Sequence, residues 1–215
     1  MTSLSSNWLY SKFKFKFKSK FKFKFKSKSK SRFKSLVLVM KKLSMEELGR
    51  VTPEEFKKQD KAHIVLVLDN IRSMHNVGSA FRTCDAFNVE KLYLCGITAT
   101  PPQKEISKTA LGATESVEWE YVENVSNLAK RLKSDGYSIL LVEQTDSSIM
   151  LQDVDFSQYP KIAMFVGNEV FGISDELLPL CDAAIEIPQF GTKHSLNVAV
   201  ATGIVLWEAI RTMTR

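Results

Sequence analysis

The chain has 215 residues, and 44% of them are hydrophobic, which is enough for one domain with a buried core. Its formal net charge of +6 comes from the first 40 residues, which carry twelve Lys or Arg and no acidic residue; the remaining 18 basic and 24 acidic residues give a net charge of −6. This composition excludes a protein that binds nucleic acid through an overall positive field, so any RNA-binding surface must be a local patch.

The cysteines and the apolar runs exclude further classes. Cys84, Cys95 and Cys181 are odd in number and lack CxxC spacing, so the sequence predicts neither a metal site nor a disulfide. Cys84 and Cys95 stand in apolar surroundings and are predicted to be buried thiols. No apolar run approaches the ~18 residues that a membrane-spanning helix needs. A reducing, cytoplasmic location is expected.

Residues 11–34 repeat Lys-Phe and then Lys-Ser, and three interpretations stay open. The segment is a cationic arm for RNA or a membrane, an organellar presequence, or sequence that does not belong to the functional protein. We favour the third, because Met40 and the residues after it read as an ordinary beginning. The expected organisation is a low-complexity tail over 1–39, disordered or non-native, a short helical leader over 40–62, and one domain over 63–215.

Two capping boxes predict two short helices in the leader. Ser44 with Glu47 and Thr52 with Glu55 match the S/T-x-x-E pattern, and Pro53 suits the first position of the second helix. Both helices are expected to pack against the core or a partner subunit.

From residue 63 onwards, short apolar runs alternate with helical patterns. Strands are predicted at 64–68, 92–95, 117–121, 138–142 and 162–166; helices are predicted at 77–87, around 106–110 and at 125–132, with a short one between Ser174 and Pro179. Repeated strand–helix units predict the α/β class, with a parallel sheet flanked by helices on both faces.

The segment from Ile187 to Glu208 is the one around which the chain is organised. A strand stops at Pro188, a loop with Gly191 follows, and then comes a helix that is apolar on nearly every side and is predicted to be buried. The loop therefore lies where the sheet ends, the usual place for ligands in open α/β sheets. Ser195 and Asn197 could also serve only as helix caps.

Three stretches together resemble a known family. They are Asn76–Arg82 (NVGSAFR), Gly167–Ser174 (GNEVFGIS) and Ile187–Asn197 (IPQFGTKHSLN). They resemble the three motifs of the SpoU/TrmH family of RNA ribose 2′-O-methyltransferases in the SPOUT class, over residues 63–215. The resemblance implies a trefoil knot formed by residues 187–207, S-adenosylmethionine (SAM) as cofactor, an RNA substrate (tRNA rather than rRNA), and a homodimer.

The resemblance also implies roles for individual residues. The expected catalytic residues are Arg82, Asn76, Glu169, Ser195 and Asn197. The expected cofactor-binding residues are Phe165, Gly167, Ile187, Gln189 and Leu196. The expected RNA-binding residues are Arg72, Lys104, Lys108 and Lys193. No role is expected for His75 or His194, and Val170 departs from the glycine that many relatives have at its position.

Chemistry refines three of these roles. A guanidinium is never deprotonated in proteins, so Arg82 is expected to hold an RNA phosphate and stabilise the developing alkoxide rather than act as a base. Asn76 is expected to cap its helix, and Glu169 is expected to pair with Arg82 or orient the substrate.

Two other functions compete with this one. A non-catalytic RNA-binding or assembly protein would keep the same fold and bind SAM without methyl transfer. An ordinary doubly wound nucleotide-cofactor enzyme is disfavoured, because no G-x-G-x-x-G follows the first strand.

Overall fold

The computed structural model describes residues 41–44, 46–193 and 195–213, so the predicted tail over 1–39 lies outside the described residues, as does His194. The chain divides into two units, Met1–Arg50 and Val51–Arg215. In the first unit the Ser44–Glu47 capping box forms, with the Ser44 N–H 2.8 Å from a Glu47 carboxylate oxygen. The residues after it make only a turn that ends at Gly49, whose φ is +59°. The first predicted leader helix is therefore wrong.

The second leader helix is confirmed as α1 (Pro53–Lys57), which opens the second unit. Thr52 and Glu55 form the full capping box, and Phe56 is the one buried residue of the helix. The Lys61 ammonium lies 3.3 Å from the centre of the Phe56 ring and donates to the Phe56 carbonyl oxygen at 2.8 Å. These contacts hold α1 on the domain.

Seven parallel strands form one sheet, which confirms the predicted α/β class. They are β1 (Ala62–Asp69), β2 (Val89–Cys95), β3 (Trp119–Val122), β4 (Ser138–Val142), β5 (Ile149–Met150), β6 (Ile162–Val166) and β7 (Ala183–Glu186), in the spatial order β3-β2-β1-β6-β4-β7-β5. Strands β1, β6 and β4 lie inside the sheet and are continuous apolar runs because both of their faces are covered.

Helices cover the two faces of the sheet. They are α2 (Met74–Ala86), α3 (Lys104–Ala110), α4 (Ala113–Ser116), α5 (Val125–Ser134) and α6 (Val198–Met213). Alternate residues of β1 point to opposite faces, so Leu66 packs in a core with α2, α3, α4 and α6, whereas Val67 packs in a second core with α5. The 3-10 segment Asp175–Leu180 covers the second core through Leu177.

Helix α2 begins three residues earlier than predicted. Ser73 is its N-cap, and the Ser73 hydroxyl oxygen accepts from the Asn76 N–H at 3.4 Å. The prediction that Asn76 caps the helix is therefore wrong, and its side chain is available for other contacts.

Helix α6 is buried on one face only, which corrects the prediction that it is buried all round. Thr202, Val205, Leu206 and Ala209 face the core. Val200, Ile204 and Trp207 are 51%, 38% and 56% exposed and stand at i, i+4 and i+7. These three residues, the α6 stripe, leave an apolar row on the surface of the protein.

Four short elements without a periodic pattern were not predicted from the sequence. They are α4, β5 and the 3-10 segments Leu151–Asp153 and Phe156–Gln158. Cys84 and Cys95 are fully buried as predicted, and burial raises the pKa of both thiols. Within the described ranges, no helix is long and apolar enough to cross a bilayer.

Candidate functional site

A cavity of about 450 Å³ lies at the carboxyl ends of three neighbouring strands. Strands β6, β4 and β7 end there in Val166, Val142 and Glu186, and their following loops meet because the strands are adjacent and parallel. Val198 and Ala201 of α6 close another side of the cavity. The volume lies within the range of small-molecule sites, about 300–1,000 Å³.

One line of hydrogen bonds joins the three predicted motifs at this cavity. The Asn76 side-chain N–H donates to the Glu169 carboxylate at 2.9 Å. The Asn76 side-chain oxygen accepts from the side-chain N–H of Asn197 at 3.1 Å. Each link has one direction, so the Glu169–Asn76–Asn197 line fixes which way the Asn76 amide points.

The Glu169 carboxylate is further held by the backbone that leads into α2. It accepts from the N–H groups of Arg72 at 3.1 Å and Ser73 at 3.3 Å. Partial burial raises the pKa of Glu169, but the hydrogen bonds from Asn76 and from backbone N–H groups outweigh it, so the pKa lies below its ordinary value. Glu169 is therefore a fixed acceptor near neutral pH.

Asn197 combines the two functions that the sequence left open. Its side-chain oxygen accepts from the Ala199 N–H at 2.9 Å and caps α6, while its side-chain nitrogen reaches Asn76. The start of α6 is thereby tied to the start of α2, although Asn197 itself stays exposed.

The loop between β6 and Asp175 is held as a tight turn. Asn168 and Gly172 exchange backbone hydrogen bonds of 2.9 and 3.0 Å, and the Asn168 side chain donates to the Asn70 carbonyl oxygen at 2.6 Å. Gly172 has φ +72°, and a Cβ there would stand 2.4 Å from a Glu143 carboxylate oxygen. A side chain at this position would strain the backbone and displace the Glu143 carboxylate.

Arg82 does not line the cavity. It lies on α2, less than two turns after Asn76, in a neighbouring cleft of about 510 Å³ that also contains Lys108, Ser79 and Gly203. The Arg82 side chain is exposed and makes no hydrogen bond or ion pair with the residues that the structure describes. The predicted pairing of Glu169 with Arg82 is therefore wrong, because Asn76 and the backbone occupy the Glu169 carboxylate.

The other predicted residues divide between the cavity and the surface. Gly167, Ile187, Gln189, Ser195 and Leu196 line the cavity. Arg72, Lys104, Lys108 and Lys193 are exposed, and none of them lines it.

Phe165 is not placed where the cofactor prediction puts it. Its side chain is fully buried in the core under α5, because alternate residues of β6 point to opposite faces of the sheet. The next residue, Val166, lines the cavity instead.

Sequence reasoning gave no role to four polar residues of the cavity, which are Glu143, Gln144, Asn168 and Glu186. Glu143 accepts from the Ile173 N–H at 3.0 Å, and Glu186 accepts from the Ser148 hydroxyl at 2.9 Å. Their place at the carboxyl ends of the predicted strands was the available signal.

The cavity is acidic. Among the described residues that line it, three are Glu and none is Lys or Arg. Such a lining favours a cationic ligand. Throughout the described part of the chain, no three His, Cys, Asp or Glu residues are arranged to hold a metal ion.

Comparison with known proteins agrees with this geometry. Residues 63–207 match the family described as the SpoU rRNA Methylase family. A tRNA (guanosine(18)-2'-O)-methyltransferase of Aquifex aeolicus is 36% identical over 178 residues, which cover 81% of this chain and 81% of that protein. The crystal structure of an A. aeolicus TrmH/SpoU tRNA modifying enzyme superposes with a TM-score of 0.66 at 32% identity, over 74% of this chain and 80% of that one. An AdoMet-bound rRNA methyltransferase from Sinorhizobium meliloti superposes with a TM-score of 0.66 at 27% identity, over 75% of this chain and 61% of that chain.

Proposed function

The chain belongs to the SpoU rRNA methylase family of RNA 2′-O-ribose methyltransferases, and we propose that its substrate is tRNA. It is an enzyme that uses SAM to methylate a ribose 2′-hydroxyl. The A. aeolicus relative, whose name gives guanosine 18 of tRNA as its target, aligns over 81% of both chains. The S. meliloti rRNA enzyme is covered over only 61% of its length. A guanosine ribose in tRNA is therefore the proposed target.

The observation that carries the proposed site is the Glu169–Asn76–Asn197 line. It joins residues from three distant segments at the mouth of one cavity, and it leaves Ser195 and Leu196 on the cavity wall beside it. Capping of α2 and α6 alone would not require hydrogen bonds between these three segments.

The chemistry of the cavity fits SAM. Its acidic lining suits the positive sulfonium and amino groups. Gly167 lets the β6 loop close on itself at the cavity wall, because a Cβ there would stand 2.3 Å from backbone atoms of Gly172 and Ile173. Gly167, Ile187, Gln189 and Leu196 would hold the cofactor. SAM supplies an electrophilic methyl group on a sulfonium.

The residues of the chain then act on the ribose. Asn76, held by Glu169 and Asn197, and the nearby Ser195 position the target hydroxyl. Arg82 holds the phosphate and stabilises the developing alkoxide as the hydroxyl proton leaves to solvent. Lys108 shares the cleft with Arg82 and extends the cationic path, with Lys104, Arg72 and Lys193 as further RNA contacts.

The experiment that tests this function uses the full chain with methyl-labelled SAM and, in separate reactions, bulk tRNA and ribosomal RNA. The RNA is digested, and the labelled nucleoside is identified. A labelled 2′-O-methyl nucleoside from tRNA is the expected result. Label in rRNA alone contradicts the substrate, and SAM binding without transfer to either RNA favours the non-catalytic alternative.

Three further features complete the proposal. The enzyme works as a homodimer in the cytoplasm, with the α6 stripe of each subunit covered by the other; family resemblance and the exposed apolar row support this.

Residues 187–207 form a trefoil knot, which rests on the resemblance alone. Residues 1–39 are a tail, 40–62 a leader and 63–215 the methyltransferase domain. Removal of 1–39 should leave methyl transfer unchanged, and a loss of activity would refute that division.

A further inference from the structure

A second hollow lies beside the main cavity, on the outer side of the β6 loop. It has a volume of about 370 Å³, and its walls include Asn70, Arg72, Ile97, Phe171, Ser174 and Asp175. We call these six residues the loop crevice. The proposed mechanism uses none of its apolar side chains.

Phe171 is a large apolar residue of the loop crevice that is almost fully exposed to solvent. Its side chain is 84% exposed, and Ile97 on the opposite element is 65% exposed. An aromatic ring in water is unfavourable unless a ligand covers it.

The exposure of Phe171 is built into the loop. The Asn168 side-chain oxygen accepts from the N–H groups of Val170 at 2.9 Å and Phe171 at 3.1 Å. Asn168 is itself tied to Gly172 and Asn70. The tip is a hydrogen-bonded turn, so the backbone from which the Phe171 ring projects is set before any ligand binds.

The charges of the loop crevice select the kind of ligand. The side chains of Arg72 and Asp175 are exposed, and neither makes a hydrogen bond or ion pair with the described residues. The Asp175 carboxylate repels a phosphate but accepts from the N–H groups of a base, while the Arg72 guanidinium suits a phosphate. Aromatic and cationic groups together are the usual platform for an unpaired base.

The loop crevice lies next to the place where the ribose reacts. The Arg72 N–H is 3.1 Å from the Glu169 carboxylate, and Phe171 follows Glu169 by two residues. Two residues of chain span at most about 7 Å, so Phe171 lies within about one nucleotide length of Glu169.

We propose that the loop crevice binds an unpaired base of the substrate RNA, stacked on the Phe171 ring, from the target nucleotide or its immediate neighbour. Arg72 holds the adjoining phosphate, and Asp175 accepts from the edge of the base. The proposal rests on the proposed function and adds to it a stacking site for the RNA. A target inside a duplex must unstack before its ribose reaches the cavity, and this site holds the freed base.

The test measures the KM for RNA, the Kd for SAM and the salt dependence of KM in Phe171→Ala, Phe171→Trp and Arg72→Ala. Leu178→Ala is the matched control, because Leu178 is an exposed apolar residue of the adjoining 3-10 segment outside the loop crevice. Phe171→Ala should raise the KM for RNA about tenfold with the salt slope unchanged. Phe171→Trp should keep the KM near that of the unmodified chain, and its added fluorescence should be quenched by RNA.

Arg72→Ala should lower the slope of log KM against log salt by about one, which separates a phosphate contact from a base contact. All four variants should bind SAM as the unmodified chain does. Equal KM values for Phe171→Ala and Leu178→Ala would overturn the proposal. So would a change in oligomeric mass or SAM affinity in Phe171→Ala, because the ring would then serve a subunit contact or the loop itself.

Failure of the proposed function gives a different result. The unmodified chain would then transfer no methyl group, and direct RNA-binding measurements on the unmodified chain and Phe171→Ala would decide the loop crevice alone. Weaker RNA binding in the variant supports the stacking site, and equal binding overturns it.

Discussion

Asn76 uses each polar atom of its side chain for one hydrogen bond, and both partners come from the C-terminal half of the domain, 93 and 121 positions away. A residue so placed acts through its neighbours as much as by itself. Removing Glu169 or Asn197 frees the amide to turn, so the three residues should respond to substitution as a unit. The direction of the hydrogen bonds with Glu169 and Asn197 therefore sets the orientation in which Asn76 can act on a substrate.

Arg82→Ala should lower kcat on RNA by about a hundredfold, because the developing negative charge loses its cationic partner. Arg82→Lys should have a kcat between those of Arg82→Ala and the unmodified chain, because lysine keeps the positive charge but lacks the planar fork of donors. Turnover at saturating SAM measures both. Lys130→Ala removes an exposed charge on α5 across the sheet and should change little; near-normal turnover in Arg82→Ala would refute the role of Arg82.

Glu169→Gln should change the pH dependence of stability. The folded-state pKa of Glu169 lies below its ordinary value. The contribution of the carboxylate is therefore complete above about pH 4.5, the ordinary value of a glutamate, and is lost as the pH falls through the lower folded pKa. Melting temperatures from about pH 3 to pH 7 should show the unmodified chain above the variant only at the upper end. Glu176→Gln, an exposed carboxylate of the 3-10 segment, is the control; a difference that is constant with pH contradicts the assignment.

Motif recognition found Glu169, Asn76 and Asn197 but not their mutual contacts, because hydrogen-bond partners more than 90 positions apart leave no local signal. The same limit produced the wrong pairing of Glu169 with Arg82. The side chain of Phe165 faces the core while that of Val166 lines the cavity, because a one-residue step along a strand reverses the face.

At the scale of elements, α2 and α3 meet through a glycine. A Cβ on Gly78 would stand 2.1 Å from the Thr109 hydroxyl oxygen and 2.3 Å from the Ile106 carbonyl oxygen. The close approach of the two helices places Arg82 and Lys108 in one cleft. Helix spacing thus sets the geometry of the cationic surface.

Gly78→Ala should destabilise the domain by about 1–3 kcal/mol, because the backbone of α3 must move away. Urea unfolding measures the change. Gly203→Ala is the matched control: nothing lies within 4 Å of the added Cβ on α6, and alanine is the better helix former, so stability should stay equal or rise. Equal stability in both variants would show that α2 and α3 tolerate separation.

The sequence predicted every strand of the sheet except the two-residue β5, and periodicity alone placed α5 correctly from Val125. The four-residue helix α4, the strand β5 and the two three-residue 3-10 segments were missed, since they lack room for a period. The Ser44 turn was overpredicted for a related reason: the segment after the capping box has no buried residue to stabilise a helix.

At the scale of the whole molecule, the α6 stripe is the surface that the proposed homodimer would cover. Its three residues are apolar and lie on one face of a helix whose other face forms the core. Gly203 on the same helix also borders the Arg82 cleft. A second subunit on this stripe would therefore lie beside the cationic residues.

Ile204→Glu should convert a dimer to a monomer, because a buried unpaired carboxylate opposes association. Light scattering measures the mass, and methyl transfer should fall with it. Ile149→Glu, on the edge strand β5, changes an equally exposed residue and should leave the mass unchanged. A dimer that survives Ile204→Glu would place the subunit contact elsewhere.

The distance along the chain between Asn76 and Asn197 has a consequence for protein synthesis. The two residues are 121 positions apart, and a ribosome adding about 5–20 residues per second takes roughly 6–24 seconds to make that length. A nascent chain that has completed β7 contains all seven strands of the sheet, but it lacks the Asn197 amide that orients Asn76. Under the proposed mechanism, the growing polypeptide is catalytically silent beside the ribosomal and transfer RNA that surround it, and becomes competent only after α6 has emerged.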